Sequence, residues 1–411
     1  MTTTGSGEAS TATGMGRFVL FVVFICLLGG RFTLDRLSSS LPAFDLRFAG
    51  LGVALAVFLL WHTSGRLAPA RMGPTILFFA AWLWYMALSS MWAPVDADIT
   101  GNLIDLGLMG AFVALGWAAA ARLPRDAVAS VWTWFFAAGI VYALAAFAAG
   151  PGIQGRYSAF GGGPNIFVRV MVLATIGALY YASTHNRNRV LWFLPVFAAG
   201  AVLSGSRGGL VAFAAVLVVG GIPILRSMAR RTRRWLIGLG IVAAVAFPAV
   251  FGAETEAFLR ERFIVQTLEQ GYSSGRDRII VDTIELFNTY PIFGAGLDGY
   301  FGTFGLRTGF EYPHNLVLAV LAEGGLIGAL LLAALAAVSA HALLAHRPLP
   351  PVAMYFTLAA AYVAAASLFS GDYYDSRLLW FFLGLAVLEA QRGSPQSAVV
   401  DSAPSSATVS R

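Results

Sequence analysis

Runs of about twenty predominantly apolar residues recur along almost the whole of this chain, and that recurrence limits its fold more than any other feature. A helix rises ~1.5 Å per residue, so one such run crosses the ~30 Å hydrocarbon core of a bilayer. Backbone N–H and C=O groups find no water there, so only helices and closed barrels cross it. The runs are continuous, not alternating, which excludes an outer-membrane barrel. Of 411 residues 58% are hydrophobic and 12% are charged, whereas soluble domains carry about a quarter charged residues. The expected fold class is an all-α polytopic integral membrane protein with about twelve transmembrane helices.

The runs place those helices near 17–34, 44–61, 74–92, 101–121, 128–149, 164–184, 190–205, 207–225, 235–252, 314–343, 352–370 and 376–391. In 190–225, the SGSRGG sequence reads equally as a tight turn or as a break inside the membrane. The predicted organisation is therefore a disordered cytoplasmic N-terminus (1–16), nine membrane helices (17–252), an extracytoplasmic loop (253–313), three more helices (314–391) and a disordered cytoplasmic tail (392–411). The first apolar run lacks a small-residue cleavage site and reads as a retained helix.

All 27 basic residues are arginine, so the choice of Arg at any one site carries little information, and the net charge of +6 points to no nucleic-acid partner. Their distribution is informative. Arg66, Arg71, Arg122, Arg125, Arg187, Arg189 and Arg347 fall on one side, with the Arg226–Arg234 group, while Asp96, Asp98, Asp372 and Asp375 fall on the other. Arginine-rich short loops stay inside, which puts both termini in the cytoplasm and 253–313 outside. Within that excursion Glu254 to Gln270 has helical character, and Ser274 caps a second helix to about Asn288. Pro291 stops it before the glycine-rich FGAGLDGYFGTFG. These short amphipathic helices are expected to lie against the bilayer surface or over a membrane cavity.

Charges embedded in such a chain are candidates for function. Arg207, in LSGSRGGLVAF, offers planar donors suited to a phosphate; the alternative is a turn arginine reaching the interface. Arg276 and Arg278 open a predicted helix whose free N–H groups favour anions, but i and i+2 residues face different ways. Arg276 is the candidate, and Asp277 or Asp282 would pair Arg278. His314, in EYPHNLVL, is expected in the first turn of the next membrane helix, where imidazole could take a proton from a hydroxyl near neutral pH. Asn315 beside it, Arg278, and Arg169, in GGGPNIFVRVMVL, are further substrate-binding candidates. Glu323 needs a buried partner, with Arg169 the evident ionic choice, and Gly324, Gly325 and Gly328 would permit close helix packing. Cys26 reads as a packing residue. No metal-ligand spacing, Walker A sequence or nucleophile elbow is present, and GAGLDG follows a helix, not a strand, so neither metal nor cofactor is expected.

The order SRGG, GR with an amphipathic helix, P-x-FGAG, then HN followed by AEGGLIG resembles the O-antigen ligase and polymerase superfamily, over roughly 160–345. The resemblance implies a GT-C-type glycosyltransferase architecture in the bacterial cytoplasmic (inner) membrane. It implies an undecaprenyl-diphosphate-linked glycan donor, a glycan or lipid acceptor, and inverting, metal-independent transfer. Arg207 and Arg276 match the arginines that would hold the diphosphate, and His314 the histidine that would engage the acceptor hydroxyl or the departing donor. The external loop is net acidic, with nine carboxylates against five arginines over 253–313, so a diphosphate site there must be local. A lipid-linked glycan transporter or flippase is the alternative, and a non-catalytic partner in glycan assembly the third reading.

Overall fold

The computed structural model describes residues 4–36, 40–63, 73–269 and 275–393. Among them it is dominated by helix and has no strand, only an isolated bridge between Thr33 and Asp45. The first nine helices are α1 (Thr4–Gly29), α2 (Leu46–Thr63), α3 (Pro74–Leu88), α4 (Ile99–Ala120), α5 (Arg125–Ala149), α6 (Gly163–Thr184), α7 (Leu194–Leu203), α8 (Arg207–Ser227) and α9 (Arg230–Leu259). The amphipathic α10 (Arg276–Thr289) and one turn, α11 (Leu306–Thr308), precede α12 (Leu316–Ala345), α13 (Pro351–Ser367) and α14 (Arg377–Arg392).

Seven of these, α2 to α6, α8 and α12, are long and apolar enough to cross a membrane, and Thr13–Gly29, Asn188–Leu203 and Pro351–Ser367 are shorter apolar helices. Composition predicts disorder through residue 16, whereas α1 begins at Thr4. The tail 394–411, Arg66 and Arg71, and Ser274 with its cap lie outside the described residues; Gly275, in left-handed conformation, is the N-cap of α10. SGSRGG is a tight turn: α7 ends at Leu203 and α8 starts at Arg207.

The core is aromatic. Trp132 of α5, Phe356 of α13 and Phe382 of α14 form one cluster, with Trp132 stacked at 5.0 Å from Phe356 and 5.6 Å from Phe382, and Trp82 of α3 meets Trp380 of α14 at 5.0 Å. Such pairs add ~0.5–1.5 kcal/mol each beyond area burial. Cys26 fills the close approach of α1 to Gly50 of α2. Outward, Leu77 and Trp84 on α3 and Ile237 and Val245 on α9 are exposed. Apolar surface on this scale suits lipid better than water.

α9 breaks at Gly252 (φ 71°, ψ 177°), at the predicted edge of the long excursion. Beyond it the chain continues as helix and then as a wide π-type helix, Arg260–Glu269. Phe301–Gly305, within the expected glycine-rich loop, is a second π-type turn.

The glycine-rich loop and the AEGG sequence prove to be two halves of one joint. α12 is interrupted at Gly325 (φ 60°, ψ −160°), which frees backbone groups inside a membrane helix, where they must be paired again. Residues 291–296 pair them. Ala295 N donates to Ala322 O at 2.8 Å, Gly296 N to Glu323 O at 3.0 Å, Leu326 N to Pro291 O at 2.9 Å and Ile327 N to Ile292 O at 3.2 Å. A Cβ at Gly294 would overlap the Glu323 carbonyl, and one at Gly325 would overlap Gly294 N. Gly324 and Gly328 instead admit Met86 and Tyr85 of α3.

Helix alternation gathers the connections 30–45, 89–98, 150–162, 204–206, 253–315 and 368–376 at one end of the bundle. The opposite end carries the arginine belt, where Glu389 is fully buried between Arg125, at 3.0 Å, and Arg392, at 2.6 Å.

Candidate functional site

At the connection-rich end, four guanidinium groups from separate segments come within electrostatic reach of one another. Arg207 is the first residue of α8 and Arg276 the first of α10, so two helix N-termini, whose dipoles favour anions, accompany the charges. Arg156, from the α5–α6 connection, donates to Ser204 O at 2.8 Å. Arg262, from the π-type helix, donates to Gly205 O at 3.3 Å and to Gln266 at 3.0 Å. Packing explains the convergence. Phe258 lies against both Gly155 and Gly205, where an added Cβ would stand 3.1 Å from its ring. Tyr157 N also bonds Leu203 O at 3.1 Å, docking the connection on the end of α7.

Burial, then Arg262, Arg207 and Arg276, push the Arg156 guanidinium down to about 10. Burial, then Arg207 and Arg262, lower that of Arg276. Both stay charged at neutral pH. Positive groups gathered in this way favour an anion, and planar donors suit phosphate oxygens. Arg156 and Arg262 escape sequence reading because isolated loop arginines look interfacial; the one signal is that Gly155–Arg156 repeats the Gly–Arg pairing of Gly275–Arg276.

His314 lies two residues before α12, not in its first turn as expected, and has φ 53°. A non-glycine residue held in that region is strained, and such strain concentrates at functional sites. The chain is over-determined on both sides. Asn315 is the α12 N-cap, its Oδ1 accepting from Val317 N at 3.0 Å and Leu318 N at 3.1 Å, while its Nδ2 donates to Leu368 O at 2.9 Å. The Tyr312 ring centroid stands 4.3 Å from that of His314, and Phe310, at 6.4 Å, also packs over Gly275 beside Arg276. Burial, then Arg276, lowers the imidazole below its usual range, against the opposing pull of Asp375 and Glu311. His314 is therefore neutral at pH 7, the state that accepts a proton.

The remaining candidates lie apart from the arginine cluster, with Arg169 in the wall of a separate cavity. Arg169 is buried and donates to Asp375 O at 2.9 Å and Ser370 O at 2.5 Å, clamping the α13–α14 connection. The expected Arg169–Glu323 pair does not form. The break at Gly325 places Glu323 against the outer connections, where Tyr373 donates to it at 3.0 Å and Tyr300 N at 3.5 Å. Arg278 is exposed and stands 3.9 Å from Asp282, on the face turned from Arg276. The SRGG glycines admit protein: Gly208 faces Phe369, and Gly209 faces Val168. Asp375, which Tyr312 Oη reaches at 3.4 Å, was not a sequence candidate.

A cavity of about 540 Å³ opens one residue from His314, with Tyr312 and Pro313 in its wall. A second, of about 320 Å³, shares Arg31, Glu311 and Tyr312 with it. Among the described residues no three His, Cys, Asp or Glu side chains are grouped to hold a metal ion.

Residues 191–333 match the family model described as O-antigen ligase. That span contains Arg207, Arg262, Arg276, His314 and both halves of the Gly294–Gly325 joint. The match supports assignment to an O-antigen ligase-like superfamily. No individual curated protein matches the chain at a significant level.

Proposed function

We propose that this O-antigen ligase-like membrane protein is a glycosyltransferase, moving a glycan from an undecaprenyl-diphosphate-linked donor to an acceptor hydroxyl at the outer face of the bacterial cytoplasmic membrane. The observation that carries the reading is the convergence of Arg156, Arg207, Arg262 and Arg276 beside a strained, neutral His314. The arginine belt at the opposite end supports a cytoplasmic position for both termini. Twelve apolar helices crossing the membrane, in a GT-C-like arrangement, accommodate this orientation.

In the proposed reaction the diphosphate lies among the arginines. The acceptor oxygen attacks the anomeric carbon from the face opposite the leaving group, inverting it. The new C–O bond forms as the bond to diphosphate breaks, and the bonding pair departs on the diphosphate oxygen, where guanidinium groups and helix N-termini meet the developing charge. The acceptor's proton passes to the His314 imidazole. Charge neutralisation by arginine makes no demand on a metal.

The test is the lipid-linked pool of a deletion strain. Single repeats accumulate if the protein is a polymerase, and full-length lipid-linked polymer if it is a ligase. Unaltered pools sink both forms of the proposal.

A further inference from the structure

The diphosphate end of the proposed site is strongly cationic, yet the neighbouring cavity has the opposite character. Its wall is assembled from connections far apart in sequence: Asp105 of α4, Asp98 before it, Asp298 and Glu311 of the long excursion, Glu323 of α12 and Asp372 before α14. The cavity's own arginines are already committed. Arg31 pairs with Asp105 at 2.5 Å, and Arg47 pairs with Asp45 at 2.5 Å and with Asp105 at 2.6 Å. Asp98, Asp298, Glu311, Glu323 and Asp372 have no ion-pair partner among the described residues.

Asp298 bears most directly on a ligand. It is 9% exposed, its Oδ2 accepts the Asp98 N–H at 2.8 Å, and its Oδ1 has no hydrogen-bond partner among the described residues while it lines the cavity. That oxygen is open to the cavity, so a hydroxyl entering there can donate to it. Burial pushes the Asp298 carboxyl up to about 6 against the lowering effect of the Asp98 N–H bond, and burial with Asp375 likewise raises Asp372. These carboxylates are not grouped to hold a metal ion. What they present is a set of hydrogen-bond acceptors in a wall shared with the aromatic residues Phe301, Tyr312 and Tyr373. Acceptors beside aromatic rings suit the O–H and C–H faces of a sugar.

We infer that this cavity holds the sugar unit next to the reacting centre and that its carboxylate wall selects glycans carrying no carboxylate or phosphate at that position. The inference rests on the transferase reading only in naming the centre beside which the sugar lies. It divides the site by charge. Guanidinium groups take the anionic lipid diphosphate, carboxylates take the hydroxyl-rich glycan, and His314 lies at the boundary. A uronate in the cavity would face like charge at close range and would leave the unpaired oxygens without donors.

The test needs no turnover. Binding of methyl galactopyranoside and of methyl galactopyranosiduronate to the purified full-length protein in micelles is followed by saturation-transfer NMR. The neutral glycoside is expected to bind at least about ten-fold better, the order of one like-charge contact in a partly solvated cavity. Asp298→Asn keeps the shape and tolerates the same left-handed backbone, and Glu311→Gln changes an exposed side chain that does not threaten folding. Either is expected to narrow the discrimination to a few-fold at most. Equal or tighter uronate binding, no glycoside binding, or discrimination unchanged in both variants overturns the inference. Discrimination without any turnover of a lipid-linked donor overturns the transferase reading alone.

Discussion

Replacing Gly294 by alanine tests the joint that sets α12, and with it His314, in place. Gly294 has φ 75°, and an added Cβ would overlap the Glu323 carbonyl and Gly325 N. The backbone term alone costs ~1–2 kcal/mol in the left-handed region. The overlap cannot be relieved by a side-chain rotation, because every nearby atom is backbone. The loop must withdraw, and four hydrogen bonds of 2.8–3.2 Å bridge it to α12. Losing two of them at ~0.5–1.5 kcal/mol each, plus the backbone term, gives ~2–5 kcal/mol. Gly309 is the control: its φ is 73°, but nothing lies within 4 Å of an added Cβ, so Gly309→Ala incurs the backbone term alone. Thermal unfolding in detergent should place Gly294→Ala well below Gly309→Ala. Amide exchange should accelerate at Ala295, Gly296, Leu326 and Ile327 in the first variant only. Equal melting of the two variants, with protected amides in both, refutes the joint.

The arginines that sequence reading overlooked make a second prediction. Arg156→Ala and Arg262→Ala should each raise the KM for a lipid-diphosphate donor by ~10–100-fold, the loss of one charge-assisted contact, as measured in steady-state transfer assays. A third concerns pH. His314 titrates below its usual range because of burial and Arg276, so activity should fall only as pH drops beneath about 6.5. In a kcat–pH profile, Glu311→Gln should move that acid limb downward, since it removes a negative neighbour of His314. Asp298 supplies a fourth. Its folded-state carboxyl, at about 6, binds protons more tightly than the unfolded ~3.9. The fold therefore loses stability as pH rises from about 4 to 6 and does not regain it above. Asp298→Asn should melt higher than the parent at pH 8 and no higher at pH 4.

Much of the bundle was legible in sequence because apolar run length is a local property. The runs anticipated α2 to α6, α8 and α12, and Gly252 breaks α9 where the polar excursion was expected to begin. The excursion's second helix was expected to end near Asn288, and α10 ends at Thr289 with Ile279 and Leu286 buried. The site was only half legible. Arg207, Arg276 and His314 stood out as charges or imidazole where such groups are scarce, and the structure links Arg207 to Arg276 and Arg276 to His314. What stayed hidden depends on contacts between distant segments. Asp98, Asp298 and Asp372 share a wall although about 75 to 275 residues separate them. Periodicity cannot report that Glu323 bonds Tyr373, nor that a helix breaks at Gly325 because a loop some thirty residues upstream completes its backbone pairing.

The most direct test of the central claim is transfer by the purified protein in detergent, with an undecaprenyl-diphosphate-linked glycan as donor and release of undecaprenyl diphosphate as the readout. Detergent removes the compartments that transport requires, so turnover there is chemistry. The account predicts turnover by the parent chain, and near-complete loss in Arg207→Ala, Arg276→Ala and His314→Ala, each retaining parental expression and melting. Full activity in all three variants contradicts it.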